Sequence, residues 1–196
     1  LDELPYVGQY LLLHDDFAAA LERARWCVKA AEVLADVGQL IEARINVGYA
    51  RRHLGQWAES LEAFDDAVRL ARLTADQERA ATALACRAEL LACLGLHDRA
   101  RAEGKDALAA ALGMGSVRGE LLAHLALSEA YRRSGNGQEA LYHARQGLSA
   151  ATGHGLQKLE ARLRLAVAMA KRALGEVGAA AEERRALASA EAVGAR

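Results

Sequence analysis

Apolar and polar positions alternate along most of this chain with the spacing of amphipathic helices. In one stretch Leu21, Ala24, Val28 and Ala31 recur at intervals of three and four residues, with charged residues between them. Residues at this spacing share one face of an α-helix. Short stretches containing Gly, Asp or Ser interrupt the pattern. This interrupted pattern predicts ten helices and no strands. The helices are predicted over residues 5–14, 17–35, 39–54, 57–73, 76–94, 97–112, 116–134, 137–151, 156–174 and 177–193.

Residue types also repeat with a period of 40 residues. The turn glycine of the pair Leu54-Gly55 returns further along the chain, at Gly95, Gly135 and Gly175. Two more columns hold only small residues, namely Gly8, Gly48, Ala88, Ser128 and Ala168, and Ala20, Ser60, Ala100, Ala140 and Ala180. A fixed period of this length indicates stacked copies of one helical hairpin, each packing on its neighbours.

The unit from Gly38 to Leu73 carries the fullest motif: Val47-Gly48, Gly55, Trp57, Ser60-Leu61 and Phe64. This pattern resembles the tetratricopeptide repeat (TPR), in which a small residue in helix A, a turn glycine, an aromatic residue and a small residue in helix B recur together. The period departs from the roughly 34 residues usual in that family, and Arg184 stands where Phe64 would recur. A HEAT-type array has a similar period, but it fits the turn glycine and the small columns less well.

The resemblance implies an all-α, right-handed α-solenoid of about five helix-turn-helix repeats. The predicted units are residues 1–37, 38–75, 76–115, 116–154 and 155–196. The 40-residue form is similar to the arrays of large bacterial signal-transduction ATPases and transcription activators, where such an array adjoins catalytic and DNA-binding domains. Because the sequence begins with Leu1 rather than Met, we expect it to be part of a longer polypeptide.

Composition and charge narrow the classes of function. The formal net charge is -1 at pH 7, whereas domains that bind nucleic acid through phosphates carry a basic excess. The sequence has no run of 18 apolar residues, so no membrane span is predicted, and it shows no basic-then-apolar leader. The three cysteines, Cys27, Cys86 and Cys93, lie within helical patterns. They indicate reduced thiols in a cytoplasmic protein.

The sequence offers no convincing catalytic, cofactor or metal site. Gly104-Lys105 resembles the end of a phosphate-binding loop, but Arg99 stands where its first glycine is required. Cys86, Cys93 and His97 can share a helix face, although zinc sites usually show paired short spacings. We therefore expect no metal and no cofactor, and we interpret Cys86 and Cys93 as buried thiols.

Helix A of each unit is the candidate binding surface, because in TPR-like arrays these helices line a concave groove. Arg52, Arg132 and Arg172 form one column, and Glu89 and Glu129 another. Rows of arginines and carboxylates with apolar residues between them suit a peptide or an acidic ligand. Alternatively, these charges only solvate a helix face or pair with one another. The predicted groove residues are Tyr49, Arg52, His53, Glu89, Glu129, Arg132, Arg133, Met169 and Arg172.

These observations favour a non-enzymatic protein–protein interaction scaffold within a bacterial signalling or transcription regulator. The alternative is a sensor domain that binds a small molecule or peptide effector in the groove. We expect Trp26, Trp57, Tyr131 and Tyr142 to fill gaps between helices. An exposed apolar end of the array would allow self-association into a homo-oligomer, since terminal repeats need polar capping.

Overall fold

The computed structural model describes residues 16–152 and 154–194. This part of the chain contains nine helices and no strand, and the predicted all-α solenoid of tandem helical repeats is confirmed. The predicted helix over residues 5–14 lies outside the described residues, as does Gly8. The helices are α1 Phe17–Val33, α2 Val37–His53, α3 Trp57–Leu73, α4 Gln77–Cys93, α5 His97–Met114, α6 Val117–Arg133, α7 Gly137–Ala151, α8 Gln157–Ala173 and α9 Ala179–Gly194.

The turns repeat every 20 residues, which is half the 40-residue period with which the residue types repeat. One residue in each turn has φ between 53° and 82°, and these residues are Ala35, Gly55, Ala75, Gly95, Gly115, Gly135, Gly155 and Gly175. In all of these turns except that at Gly155, the next residue donates its N–H to the carbonyl five residues earlier, as Asp36 does to Ala31 at 3.0 Å. This bond closes a Schellman motif, which satisfies a helix carbonyl that has no partner within the helix.

Three of the A helices, the first helices of their hairpins, begin after a residue whose side chain acts as the N-cap. Asp36, Asp76 and Ser116 each accept a hydrogen bond from the backbone N–H three residues later, at 2.9, 3.0 and 3.3 Å respectively. These N-caps satisfy donors that the first helical turn leaves unpaired. Asp76 and Ser116 are the first residues of the predicted helices 76–94 and 116–134. In contrast, residues 113 and 114, which the sequence pattern placed in a link, belong to the last turn of α5.

Contact between α2 and α3 explains why two sequence columns hold small residues. The Ser60 hydroxyl donates to the carbonyl of Gly48 at 2.7 Å. A Cβ on Gly48 would lie 2.7 Å from the ring of Phe64, which is completely buried. Only glycine allows this close approach. The equivalent small residues of the following hairpins are also buried, namely Ala88, Ala100, Ser128, Ala140 and Ala168.

The last hairpin departs from the column pattern. Ala180 is exposed, although the 40-residue spacing predicts a buried small residue there. Helix α9 begins at Ala179 rather than at residue 177, so Ala180 is its second residue, whereas the equivalent Ser60 is the fourth residue of α3. The buried face of α9 is formed instead by Glu183, Ala186 and Ala190.

The helices form two layers. In the inner layer, the A helices α2, α4, α6 and α8 pack on one another in order. The outer helices α3, α5 and α7 pack mainly against the inner helices before and after them. Because only the inner helices approach one another closely, the stack curves with the inner layer on its concave side. None of the helices in the described ranges is both long enough and apolar enough to cross a bilayer.

Three of the aromatic residues expected to fill gaps between helices lie on the surface instead. Trp26 is 70% exposed, Tyr142 55% and Trp57 44%. The buried positions of α1 are 21, 24, 28 and 31, so residue 26 lies on the opposite face of that helix. Tyr131 is half-buried and stacks on His143. The interior is made instead mainly of alanine and leucine, with Phe64 as its largest fully buried side chain.

Candidate functional site

The predicted groove residues lie on the inner layer, mostly toward the C-terminal ends of its helices. Tyr49, Arg52 and His53 belong to the last two turns of α2, and Glu89 lies on α4. Helix α6 carries Glu129, Arg132 and Arg133, and α8 carries Met169 and Arg172. The structure divides the charged members of this group among three sets of ion pairs.

The first set, which we call the crossing cluster, consists of Arg52, Glu89 and Arg162. Arg52 Nη1 lies 2.8 Å from Glu89 Oε2, and Arg162 Nη2 lies 2.8 and 2.9 Å from the two carboxylate oxygens. The three side chains are 8%, 17% and 18% exposed. A single buried carboxylate therefore accepts hydrogen bonds from two guanidinium groups.

The crossing cluster connects helices that are not neighbours in the stack. Arg162 belongs to α8 and Glu89 to α4, so their contact passes α6, which lies between those helices in the inner layer. The guanidinium groups of Arg52 and Arg162 also lie 5.3 and 5.7 Å from the ring centre of Tyr49 on α2. The electron-rich face of that ring attracts both cations. Three of the inner helices are thus joined at one point of the concave face.

The charges in the crossing cluster stabilise one another. Burial acts to raise the pKa of the Glu89 carboxyl, but Arg162 and Arg52 outweigh this and hold that pKa well below its ordinary value. Burial acts to lower the pKa of Arg162, yet Glu89 raises it above the ordinary value. All three groups are therefore ionised at neutral pH, and the cluster carries one net positive charge.

The second set, the α6 cluster, consists of Glu129, Arg132 and Arg133. Arg132 donates to both carboxylate oxygens of Glu129, at 3.0 and 2.8 Å, and Arg133 pairs with the same carboxylate. Arg132 is 22% exposed and Arg133 39%. This cluster also has one net positive charge, and it is more accessible than the crossing cluster.

The third set is a single ion pair between Arg172 and Glu183, so Arg172 does not lie with the other arginines of the predicted column. Arg172 Nη2 lies 2.9 Å from Glu183 Oε1 on α9, a carboxylate that is 1% exposed. The three predicted arginines, Arg52, Arg132 and Arg172, thus bind three different carboxylates rather than forming a row. Arg52, Arg132 and Arg133 pair with predicted groove carboxylates, whereas Arg172 pairs with a carboxylate outside the predicted groove.

Aromatic rings border the crossing cluster at the N-terminal end of the described chain. The rings of Phe17 and His53 stack with centres 4.2 Å apart and planes 7° from parallel. The Tyr49 ring lies 4.5 Å from His53. The half-buried Met169 and Leu165 lie on α8. The concave face therefore combines cations with apolar and aromatic surface.

The cysteines differ in exposure. Cys86 is buried, Cys93 is half-buried and Cys27 is exposed, so the expectation of buried thiols is correct for Cys86 and holds only in part for Cys93. Burial raises the pKa of the Cys86 thiol to about 11, which keeps it protonated at neutral pH. Within residues 16–152 and 154–194, no three His, Cys, Asp or Glu side chains are arranged to hold a metal ion.

Sequence reasoning missed two features. Arg162 was not among the predicted groove residues, because stepping by 40 from it gives Leu122 and Thr82, which share none of its chemistry. The second feature is a buried pair on α6 and α7, in which the Nδ1 atoms of His124 and His143 lie 3.1 Å apart. Both positions belong to one antiparallel hairpin, with His124 eleven residues before Gly135 and His143 eight residues after it.

The histidine pair is uncharged at neutral pH. Burial lowers the pKa of both rings to about 4, assisted by His143 for His124 and by Lys105 for His143. One Nδ1 donates and the other accepts, which requires two neutral rings of different tautomer. The pair lies between helices rather than on the concave face, so we assign it to the framework of the hairpin.

Solved structures of other proteins share this architecture. BtubC (BKLC) from P. vanneervenii has a TM-score of 0.65 at 17% identity, covering 91% of this chain and 75% of that one. A putative kinesin light chain with nearly identical TPR-like repeats from Podosopora anserina has a TM-score of 0.57 at 18% identity, covering 97% of this chain and 93% of that one. A substituted form of that kinesin light chain gives 0.59 with the same identity and coverage. No protein-family model and no curated protein matches the sequence. The likeness establishes the fold, and this chain has the architecture of a TPR-like helical-repeat protein.

Proposed function

We propose that this chain is a non-enzymatic protein-interaction module whose partner segment lies along the concave face. The observation that carries the proposal is the continuity of that face across α2, α4, α6 and α8. A segment bound there can contact several repeats at once, which is how curved repeat arrays bind extended partners. On this surface the cations would orient the bound segment, and the apolar side chains would supply the area that is buried on binding.

We also propose that the module serves a regulatory role in the cytoplasm, within a bacterial signalling or transcription protein. The support for this finer assignment is the 40-residue period, which is similar to that of arrays in large bacterial regulators. The architecture shared with BtubC and with a kinesin light chain is compatible with a scaffold in general.

The proposal is tested by capture of partners from cell lysate on three immobilised forms of the chain. These are the native chain, Arg132→Glu on the concave face, and Arg69→Glu on outer helix α3, where Arg69 is 60% exposed. We expect the same proteins to be captured by the native chain and by Arg69→Glu, and to be lost from Arg132→Glu. Capture by all three forms would place the partner on another surface. Retained far-UV circular dichroism would show that the variants are folded.

The alternative of a small-molecule sensor gives a different result. A ligand that binds only the folded state raises the melting temperature by mass action. Screening the purified chain against pooled metabolites would reveal such a shift. A shift that Arg132→Glu abolishes, combined with no groove-dependent protein capture, would replace the scaffold by the sensor.

A further inference from the structure

We propose that the partner segment is acidic, and that one of its carboxylates binds beside Cys93, where the crossing cluster and the α6 cluster meet. This inference rests on the proposed function, since it names the chemistry of the segment that the concave face would bind. It concerns one location on that face rather than its whole length.

The two clusters converge because of helix geometry. Cys93 follows Glu89 by four residues on α4, so both side chains lie on one face of that helix. Arg133 follows Glu129 by four residues on α6, which packs directly against α4. Burial is the main cause of the raised pKa of Cys93, and the thiol also experiences the charges of Arg52, Arg133, Glu89 and Glu129. Cys93 therefore lies between the clusters.

The local charge is positive on a protein that is slightly acidic overall. The two clusters contain four arginines and two glutamates, which leaves two positive charges, whereas the whole sequence carries -1. Each glutamate is shared between two guanidinium groups, and each guanidinium group has five N–H donors. An incoming carboxylate would accept charge-assisted hydrogen bonds and neutralise part of this excess.

The accessible member of the site is Arg133. It is 39% exposed, whereas Arg52 and Arg162 are 8% and 18% exposed. A partner carboxylate can therefore reach Arg133 first without dismantling the crossing cluster. The concave face also carries the half-buried Tyr49 on α2 and Met169 on α8, and this apolar surface favours a peptide segment over a small free anion.

The test measures binding of a blocked, fluorescent hexaglutamate peptide, with hexaglutamine of equal length as the neutral comparison. We expect hexaglutamate alone to bind at low salt, and its affinity to fall as salt rises because exposed charges are screened. Arg133→Gln should weaken binding about five- to tenfold. Arg69→Gln is the matched control, since Arg69 also pairs with a carboxylate on its own helix, and it should leave affinity unchanged.

A second measurement locates the bound peptide. In a Cys27→Ser background, which removes the exposed thiol, hexaglutamate should slow alkylation of Cys93, and hexaglutamine should not. An equal loss of affinity in Arg133→Gln and Arg69→Gln, or unchanged alkylation of Cys93, would overturn the assignment. Tighter binding of an oligothymidylate of equal charge at the same arginines would overturn the choice of a protein partner.

The two proposals fail in different ways. If hexaglutamate does not bind but Arg132→Glu still abolishes capture of partners, the concave face binds proteins of another chemistry and only the acidic-segment inference is wrong. If neither the peptide nor any partner depends on the concave face, the interaction function itself is wrong.

Discussion

The crossing cluster and the histidine pair both bury ionisable side chains, but they satisfy them in opposite ways. Glu89 remains charged because two arginines offset its desolvation with direct hydrogen bonds. His124 and His143 remain neutral, and their burial lowers the pKa of each ring to about 4. The first arrangement joins inner helices across the concave face, while the second joins the two helices of one hairpin. The ionisable groups thus stay charged beside the concave face and stay neutral where the two helices of one hairpin pack against each other.

The largest expected effect comes from removing the shared carboxylate. Glu89→Gln leaves two buried guanidinium groups without a counter-charge, and breaking a buried ion pair in this way costs about 3–5 kcal/mol. Urea unfolding at pH 7 measures the loss. Glu62→Gln on the exposed face of α3 is the control and should change the free energy of unfolding by less than about 0.5 kcal/mol. Equal effects of the two substitutions would show that the crossing cluster contributes nothing to stability.

The packing of the histidine pair can be disturbed without touching either ring. A Cβ on Gly147 of α7 would lie 2.9 Å from His124 Cβ and 2.5 Å from Leu163 Cδ2. Gly147→Ala should therefore destabilise the chain by about 1–3 kcal/mol through overpacking. Gly113→Ala on α5, where a Cβ meets nothing within 4 Å, should instead stabilise the helix by about 0.5–1 kcal/mol. Calorimetric melting of both variants would separate the two results, and a stabilised Gly147→Ala would contradict the contact.

The two sites should lose stability in different pH windows. Below its ordinary pKa of 6.5, a histidine of the unfolded chain binds a proton that the folded pair, with pKa values of about 4, does not. Stability therefore falls as the pH decreases from about 6.5 to about 4. Glu89 has a lowered pKa, so its contribution is present above about 4.5 and is lost only as the pH falls below that value.

Replacing both rings tests this separation. In His124→Phe combined with His143→Phe, the decline in unfolding free energy between about pH 6.5 and 5 should shrink, while the decline below about pH 4.5 should remain. Urea titrations at several pH values provide the measurement. An unchanged decline in the upper window would mean that other groups cause it.

The smallest expected effect concerns geometry rather than charge. Arg162→Lys keeps the positive charge of the crossing cluster but loses the guanidinium group, whose Nη2 contacts both oxygens of Glu89 and whose plane lies near the Tyr49 ring. We expect a cost of about 1 kcal/mol by urea unfolding. Arg164→Lys is the matched control, since Arg164 lies on the same helix and pairs with Glu160 one turn away. Its cost should stay below about 0.5 kcal/mol, and an equal cost for both would argue against the importance of the two-oxygen contact.

The sequence predicted the helices well because their limits are local. Turn residues with positive φ and N-cap side chains such as Asp76 act within a few positions, so most predicted boundaries differ from the observed ones by one or two residues. The candidate site was predicted less completely. The contact of Arg162 with Glu89 spans 73 positions and depends on how the stack twists, which the repeat spacing does not show. The exposure of Trp26 could have been foreseen, since it lies opposite the periodic apolar face of α1.

The 20-residue repetition of the turns has a consequence for how such an array changes in length. The left-handed positions at Ala75 and Gly115 have φ values of 55° and 65°, so the segment from residue 76 to residue 115 begins and ends in equivalent backbone. A tandem duplication of that segment would join Gly115 to Asp76, and Asp76 already caps a helix after such a turn. Each junction of this kind is a place where an ancestral gene, or a protein engineer, can insert one whole hairpin without redesigning a loop.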